Sequence, residues 1–264
     1  MPSDTPLHSI QPPPRWKFRV RFAKAGDLRL VSHHDLMHVF ERMFRRADLT
    51  LSTSQGFNPR PKMAFALSLA LGVAGVNEVL EIEVALPLSA DEVQDRLTRQ
   101  CPPGLEIHSV RAIDIKTSAR VRRAMYALSL PEPIDGLSES CAALMARNEC
   151  WAERKRPQPR RINVRPFVDE LHPHRDRLTM ALWITPYGAA RPEEILAELG
   201  LSALLEAGAV IERTDLELCD ELPPGTSGPP ILRAATHEIN TNDEPMPVAM
   251  RPTAIMDNPM SFDS

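Results

Sequence analysis

Residues 16–22 read Trp16-Lys17-Phe18-Arg19-Val20-Arg21-Phe22, with apolar and basic side chains in strict alternation. Successive side chains of a β-strand point to opposite faces, so this pattern predicts a half-buried strand. We expect its apolar face to contact a core. We expect its basic face, formed by Lys17, Arg19 and Arg21, to lie in solvent.

The segment after this strand predicts a capped helix. Ser32 stands at the position of an N-cap, and Asp35 follows three residues later in a capping-box-like arrangement. The helix then carries an apolar stripe, which consists of Leu36, Phe40, Met43, Phe44 and Ala47. Spacings of three and four residues place these side chains on one face.

Strand-like and helix-like segments then follow in an order that occurs twice. In the first half, strands at 63–71, 79–86 and 105–113 and a helix at 90–100 follow the first strand and helix. In the second half, strands are predicted at 121–130, 161–165, 178–184 and 210–218, with helices at 138–151 and 192–205. Strand, helix, strand, strand, helix, strand is the order of a split βαβ unit. The sequence therefore predicts an α+β fold of two ferredoxin-like units in tandem, at 15–117 and 118–219.

Both ends of the chain differ in composition from the middle. Residues 1–14 and 220–264 are rich in proline and lack hydrophobic periodicity, which predicts disordered tails. The chain has a net charge of -4, but residues 220–264 are strongly acidic whereas residues 15–219 are slightly basic. One hypothesis is that the acidic tail folds back on the basic face as a mimic of nucleic acid.

The composition argues against several classes of protein. No apolar run reaches the roughly 18 residues that cross a membrane, and the first residues lack the apolar stretch of a secretory signal. The 11 glycines form no phosphate-binding loop. The four cysteines, at 101, 141, 150 and 219, form no CxxC pair, which argues against a zinc ribbon or iron–sulfur cluster. We expect a cytoplasmic protein without a cofactor.

Four strings of the sequence resemble one bacterial family. They lie at 19–24, at 32–36, at Phe40-Glu41-Arg42 and at Ser54-Gln55-Gly56-Phe57-Asn58-Pro59-Arg60-Pro61-Lys62. They are similar to the radical SAM-linked protein family, or DUF2344 domain, over residues 15–219. The resemblance implies an accessory role, because family members are fused to a radical SAM protein or encoded beside one. Since a radical SAM enzyme needs three closely spaced cysteines for its cluster, we do not expect the radical chemistry in this chain.

The first candidate binding site combines the loop at 54–62 with the start of the predicted helix. Its polar members are Ser32, His33, Asp35, Gln55, Asn58, Arg60 and Lys62. Cations beside a helix N-terminus suit an anionic ligand. The structural alternative is that Ser32 and Asp35 only cap the helix while Gly56 and Pro59 shape a turn.

The second candidate is a basic surface for RNA. Its members are Lys17, Arg19 and Arg21 on the first strand and Arg160, Arg161 and Arg165 near the middle of the second half. Such clusters indicate a polyanion-binding face. Only 5% of the residues are aromatic, so we expect tRNA or rRNA to be bound through phosphates and shape rather than by base stacking.

Two further motifs resemble functional sites, but we predict a structural role for each of them. His34 and His38 share one helix face, as zinc ligands do, but no third distant ligand is indicated, so we predict no metal site. Arg213-Thr214-Asp215 resembles the string around the catalytic Asp of tRNA pseudouridine synthases. The flanking Leu216-Glu217-Leu218 alternates, and we interpret Asp215 as a strand residue.

The function that these observations favour is a non-catalytic accessory protein that binds RNA through a basic face and presents it to a radical SAM enzyme. Two alternatives stay open. One is a stand-alone enzyme that modifies or cleaves RNA, and the other is a pure protein–protein interaction module whose arginines contact an acidic partner.

Overall fold

The alternating stretch at residues 16–22 forms a strand, β1 (Trp16–Lys24), as predicted. The computed structural model describes residues 15–54, 57–155 and 159–226. Within these ranges the chain forms a mixed α/β structure with a mostly antiparallel sheet. Its helices are α1 (His33–Arg46), α2 (Ala90–Thr98), α3 (Leu137–Ala146), α4 (Pro192–Glu198) and α5 (Ser202–Glu206). Its further strands are β2 (Met63–Phe65), β3 (Ala74–Val84), β4 (Leu105–Ile113), β5 (Val121–Ser129), β6 (Trp151–Arg154), β7 (Arg160–Asn163), β8 (Val168–Pro173), β9 (Arg177–Trp183) and β10 (Ile211–Leu218).

The main sheet has eight strands, with the path β4-β1-β3-β10-β5-β9-β8 and with β2 also paired to β3. Strands of the first half lie at one end of this path and strands of the second half at the other. The two halves meet where β3 and β10 pair in parallel, at Ala74–Glu212 and Gly75–Arg213. All other pairs in the main sheet are antiparallel.

The helices cover the apolar side of this sheet in both halves. The stripe predicted on α1 is buried, and the ring of Phe40 lies 5.1 Å from that of Phe22 on β1. A second apolar cluster fills the other half and also takes in Leu69, Val73 and Val79 from the first half. Because the second cluster draws on both halves, their packing is continuous across the β3–β10 pair.

The N-cap of α1 follows the sequence prediction, and α2 is capped by a serine in the same way. The Ser32 hydroxyl accepts a hydrogen bond from the Asp35 backbone N–H at 3.2 Å. At α2 the Ser89 hydroxyl accepts from the Glu92 backbone N–H at 3.2 Å, and the Glu92 carboxylate accepts from the Ser89 N–H at 2.8 Å. These reciprocal bonds satisfy backbone donors that have no partner inside the helix.

Three predicted helices are longer than those in the structure, although the one at 90–100 exceeds α2 by only two residues. The segment at 192–205 is divided into α4 and α5, since Gly200 adopts a positive φ of 74° that ends the first helix. The helix predicted to reach residue 151 ends at Ala146, and the chain then enters β6. Spacing of apolar residues alone did not show these boundaries.

The strand predicted at 161–165 also lies elsewhere than expected. β7 pairs with β6 in a two-stranded hairpin that is separate from the main sheet. The place beside β9 is taken by β8, which the sequence analysis missed. Pro166 lies in a 3-10 turn between β7 and β8, and Val168 and Leu171 of β8 are buried.

The predicted tails lie mostly outside the described residues. Residues 1–14 and 227–264 are not described, whereas residues 220–226 are. A 3-10 turn, Cys219–Glu221, follows β10 and brings Asp220 and Glu221 onto Arg19 of β1. Among the helices of the described ranges, none is both long enough and apolar enough to cross a membrane.

Candidate anion-binding surfaces

The basic row of β1 is covered and neutralised by acidic side chains. Arg19 is only 1% exposed. Its Nε and Nη2 atoms donate to Glu81 Oε1 at 3.1 and 2.7 Å. Lys17 Nζ lies 2.9 Å from Glu81 Oε2. Glu81 stands directly opposite Arg19 on β3, so the pairing register brings these charges together.

A second group of contacts comes from the segment after β10. Glu221 Oε1 accepts from Arg19 Nη1 at 2.8 Å and also from Arg111 of β4, while Oε2 accepts from Arg21 Nη2 at 2.7 Å. Asp220 Oδ2 lies 2.9 Å from Arg19 Nη2. Burial raises the pKa of Glu221, but the hydrogen bond from Arg19 and the charges of Arg21 and Arg111 outweigh it and hold this pKa below its ordinary value. We call Arg19, Arg21 and Arg111 the arginine triad.

The solvent-exposed basic face expected on β1 is therefore not what the structure shows. Alternation identifies the apolar side of a strand, but it does not tell what covers the opposite side. Here the cover comes from β3, 62 residues away in the chain from Arg19, and from residues 220 and 221. These contacts leave the predicted RNA ligands Lys17, Arg19 and Arg21 paired within the protein.

Asp215 lies at the edge of the same cluster. Its Oδ1 atom accepts from Asn77 Nδ2 at 2.8 Å and from Arg21 Nη1 at 3.2 Å. It therefore joins β10 to the first half of the sheet. This position agrees with its interpretation as a strand residue with structural contacts.

The polar residues at the start of α1 contact one another. Ser32 Oγ donates to Asp35 Oδ2 at 2.6 Å, in addition to its bond from the Asp35 N–H. The His33 ring packs edge-on against Phe65 of β2, with 5.0 Å between centroids. Burial and the charge of Lys24 lower the pKa of His33. Phe65 links this helix start to the loop that ends at Lys62.

The loop at 54–62 is closed at its neck. The Ser54 N–H donates to the Arg60 carbonyl at 2.9 Å, and the Arg60 N–H donates to Ser54 Oγ at 3.0 Å. The side chains of Asn58 and Arg60 are exposed, whereas Lys62 Nζ donates to Glu83 at 3.0 Å. Gln55 and Gly56 lie outside the described residues.

The β6–β7 hairpin carries the other predicted arginines. Arg160 and Arg161 are exposed, and the Arg161 guanidinium lies 5.3 Å from the ring centroid of Trp151. Trp151 is itself 45% exposed. Arg154 fastens the hairpin to α4 through two bonds to Glu194, at 2.6 and 2.8 Å.

Arg165 has a structural position instead. Its guanidinium donates to the backbone carbonyls of Met145 at 2.6 Å and Val168 at 2.9 Å. It ties the end of α3 to the start of β8. The structure therefore brings only Arg160 and Arg161 of this predicted group to the surface of the hairpin.

The sequence analysis missed a buried ion pair at the junction of the halves. Arg213 is 2% exposed, and its Nε atom donates to Glu78 Oε1 at 2.8 Å while Nη2 donates to the other oxygen. Nη1 and Nη2 also donate to the carbonyls of Ser68 and Leu67, each at 3.0 Å. A signal existed, since Arg213 stands in the same alternation phase as the buried Ile211.

The histidine pair on α1 does not extend to a larger ligand set. The rings of His34 and His38 lie 4.5 Å apart, and His38 Nδ1 is 2.9 Å from Glu41. In the described part of the chain, no group of three or more His, Cys, Asp or Glu side chains is arranged to hold a metal ion.

These features define the protein as a mixed α/β protein with paired charges on the side of its sheet opposite the apolar face of β1 and exposed arginines on a separate hairpin. The chain belongs to the bacterial family described as "Uncharacterized protein conserved in bacteria (DUF2344)", which matches residues 17–194. The comparison with curated proteins gives no match. Among solved structures, one described as an unknown protein from Galdieria sulphuraria is 17% identical, with 78% of this chain and 99% of that chain covered and a TM-score of 0.25. A likeness at this level carries no argument about fold or function.

Proposed function

We propose that this protein is a non-catalytic accessory protein that binds RNA phosphates and presents the RNA to a radical SAM enzyme. We also propose that its halves are two ferredoxin-like units. The strand path β4-β1-β3, with β2 beside β3, and the path β10-β5-β9-β8 support this division. With the β6–β7 hairpin set aside, each path has four strands, and the first and third of them along the chain, β1 and β3 or β5 and β9, lie at its centre, as in a split βαβ unit.

The observation that carries RNA binding is the basic β6–β7 hairpin. Arg160 and Arg161 project from a two-stranded ribbon outside the main sheet, and Arg161 lies over an exposed tryptophan. A guanidinium binds phosphate oxygens with a planar fork, and contact with an aromatic ring orients that fork. Trp151 also offers a face on which one base can stack.

Phosphate contact rather than base reading fits the rest of the surface. Tyr126 and Trp183 are both buried. The rings of Phe22, Phe40 and Phe65 contact one another in the core. Among the described residues, the main sheet thus offers no row of open aromatic rings for successive bases. The expected binding is therefore strongly salt-dependent.

The support for a radical SAM partner is the resemblance of the 54–62 loop and its neighbours to the radical SAM-linked family. We assign the contact with that enzyme to the loop, because Asn58 and Arg60 are exposed there and two hydrogen bonds between Ser54 and Arg60 close its neck. A pull-down with the neighbouring radical SAM protein tests this assignment. Arg60→Ala should weaken capture without changing the melting temperature.

The test of RNA binding is a titration of the full chain against labelled tRNA and rRNA fragments, followed by fluorescence anisotropy at several salt concentrations. Arg160→Ala/Arg161→Ala should weaken binding about tenfold or more. Loss of two phosphate contacts should also reduce the slope of log K against log salt by about 1.4 to 1.8. The matched control is Arg175→Ala/Arg177→Ala, which removes two exposed arginines near the turn between β8 and β9.

Three results would contradict the proposal. If the hairpin variant and the control variant lost RNA affinity to the same extent, binding would depend on net charge alone. Absence of RNA binding at low salt, together with a stoichiometric complex with the radical SAM protein, would favour the protein–protein module. Turnover of labelled RNA by the purified protein would favour the stand-alone enzyme.

A further inference from the structure

We propose that the arginine triad is a phosphate-binding site that the chain's own residues 219–221 occupy in this structure. Glu221 is the resident anion, and displacement of its carboxylate opens the site. This inference concerns a different surface from the hairpin and does not rest on the proposed function.

The first argument is the arrangement of like charges. Arg19 and Arg111 stand directly opposite each other in the β1–β4 register. Like charges at such positions repel, so the pair needs an anion between the side chains. Glu81, on the other side of Arg19, does not contact Arg111 and cannot fill this role alone.

The second argument is the geometry of the bound carboxylate. Three guanidinium groups from two strands donate to the two oxygens of Glu221, at 2.8 Å from Arg19 and 2.7 Å from Arg21, and from Arg111. Convergent planar donors of this kind also suit a phosphate group, which offers more acceptor oxygens than a carboxylate. Two of these donors have other partners that hold them in place, since Arg19 is fixed by Glu81 and Arg21 by Asp215.

The third argument is that the occupying segment has little to hold it in place besides its ion pairs. The 3-10 turn Cys219–Glu221 contains no buried residue. Its backbone anchor is the hydrogen bond from the Cys219 N–H to the Arg120 carbonyl at 2.8 Å. When the turn leaves the site, it therefore uncovers little apolar surface. The free-energy cost of displacing the turn lies mainly in the ion pairs of Asp220 and Glu221, which an incoming phosphate replaces.

The charge balance changes when the turn leaves. In the structure, Lys17 and the triad face four carboxylates: Glu81, Asp215, Asp220 and Glu221. Departure of Asp220 and Glu221 leaves two uncompensated positive charges. A tethered carboxylate acts at an effective concentration in the millimolar range, so a ligand with several negative charges competes better than a single carboxylate.

The experiment measures binding of inorganic pyrophosphate to the full chain by isothermal titration calorimetry. Asp220→Asn/Glu221→Gln keeps the size of both side chains and removes their charge. We expect it to bind pyrophosphate at least tenfold more tightly than the wild type. Adding Arg111→Ala should abolish this gain, and Glu206→Gln, at an exposed site on α5, should not produce it.

Hydrogen exchange on the unaltered protein provides a test that does not depend on the folding of a variant. Saturating pyrophosphate should accelerate exchange in the peptide that covers residues 219–226. The proposal would be overturned if exchange in this peptide were unchanged, or if the wild type and the Asp220→Asn/Glu221→Gln variant (the amide variant) bound pyrophosphate with equal affinity. Glu221 would then have a structural role only. A parallel titration with a short RNA shows whether the site takes a phosphodiester as well as a free phosphate.

The two proposals fail separately. Arg160→Ala/Arg161→Ala should leave pyrophosphate binding to the amide variant unchanged, because the hairpin contributes no donor to the triad. If that variant lost both RNA and pyrophosphate binding, the triad would not be an independent site.

Discussion

Replacing Glu78 with glutamine should destabilise the fold by about 3 kcal/mol. The change leaves the Arg213 guanidinium, 2% exposed, without its counter-charge. Removing one partner of a buried ion pair typically costs about 3–5 kcal/mol, since the remaining charge stays desolvated. Glutamine keeps an acceptor oxygen for Arg213, and two backbone carbonyls still accept from it. These contacts favour the lower end of the range.

Urea denaturation followed by circular dichroism measures this loss. With a slope of about 2 kcal/mol per molar, the midpoint of Glu78→Gln should fall by about 1.5 M. The control is Glu106→Gln on β4, whose side chain is exposed, and its midpoint should change by less than about 0.3 M.

A double-mutant cycle separates the ion pair from general damage to the core. Glu78→Gln/Arg213→Met should be less destabilised than the sum of the two single variants, because no unpaired charge is then buried. A loss below about 1 kcal/mol for Glu78→Gln, or strict additivity in the cycle, would refute the view that this pair is a strongly coupled contact between the halves.

Three further predictions concern other sites. Gly75→Ala should lower the urea midpoint, because the added Cβ would lie 2.5 Å from the Cγ atom of Glu78, which is fixed by its ion pair; an unchanged midpoint would contradict this. Burial raises the pKa of Glu217, but hydrogen bonds from two arginines outweigh it and hold this pKa below its ordinary 4.5. The charged carboxylate therefore stabilises the fold at neutral pH, and this contribution is lost as the pH falls below 4.5. Glu217→Gln should therefore show a smaller decrease in urea midpoint between pH 7 and pH 3.5 than the wild type, and an equal decrease would argue against this role. A thiol reagent at pH 8 should modify the exposed Cys219 first, and Cys219→Ser should remove the fast phase. Cys150 should react only on unfolding, since burial, followed by the charge of a nearby glutamate, raises its pKa to about 11; its rapid modification in the native protein would contradict this.

Local patterns in the sequence were sufficient for the elements that have one clear apolar face. The alternation of β1 and the stripe of α1 each identify a buried side, and the structure buries Phe18, Phe22 and Phe40 accordingly. Ser32 could be recognised as an N-cap because a cap involves residues only three positions apart. In all these cases the deciding contacts are short in sequence or follow a simple period.

The candidate site depended on contacts that no local pattern contains. Arg19 meets Glu221 across 202 positions, and Arg213 meets Glu78 across 135. The alternating apolar and basic residues of a strand form the same sequence pattern whether the basic side chains lie in solvent or are buried against a distant carboxylate. Arg213 carried a sign of its burial, because this charged residue is in phase with the buried Ile211.

The parallel pairing of β10 with β3 also sets the order in which a growing chain can complete its sheet. Until residues 211–218 have left the ribosome, β5 lacks its neighbour β10. The first residues of β3, Ala74 and Gly75, lack their pairing partners as well. Such unpaired edges are templates for association with other chains. Within the described ranges, the last strand to be synthesised is thus the one that completes the sheet, and products terminated before it are exposed to aggregation during translation.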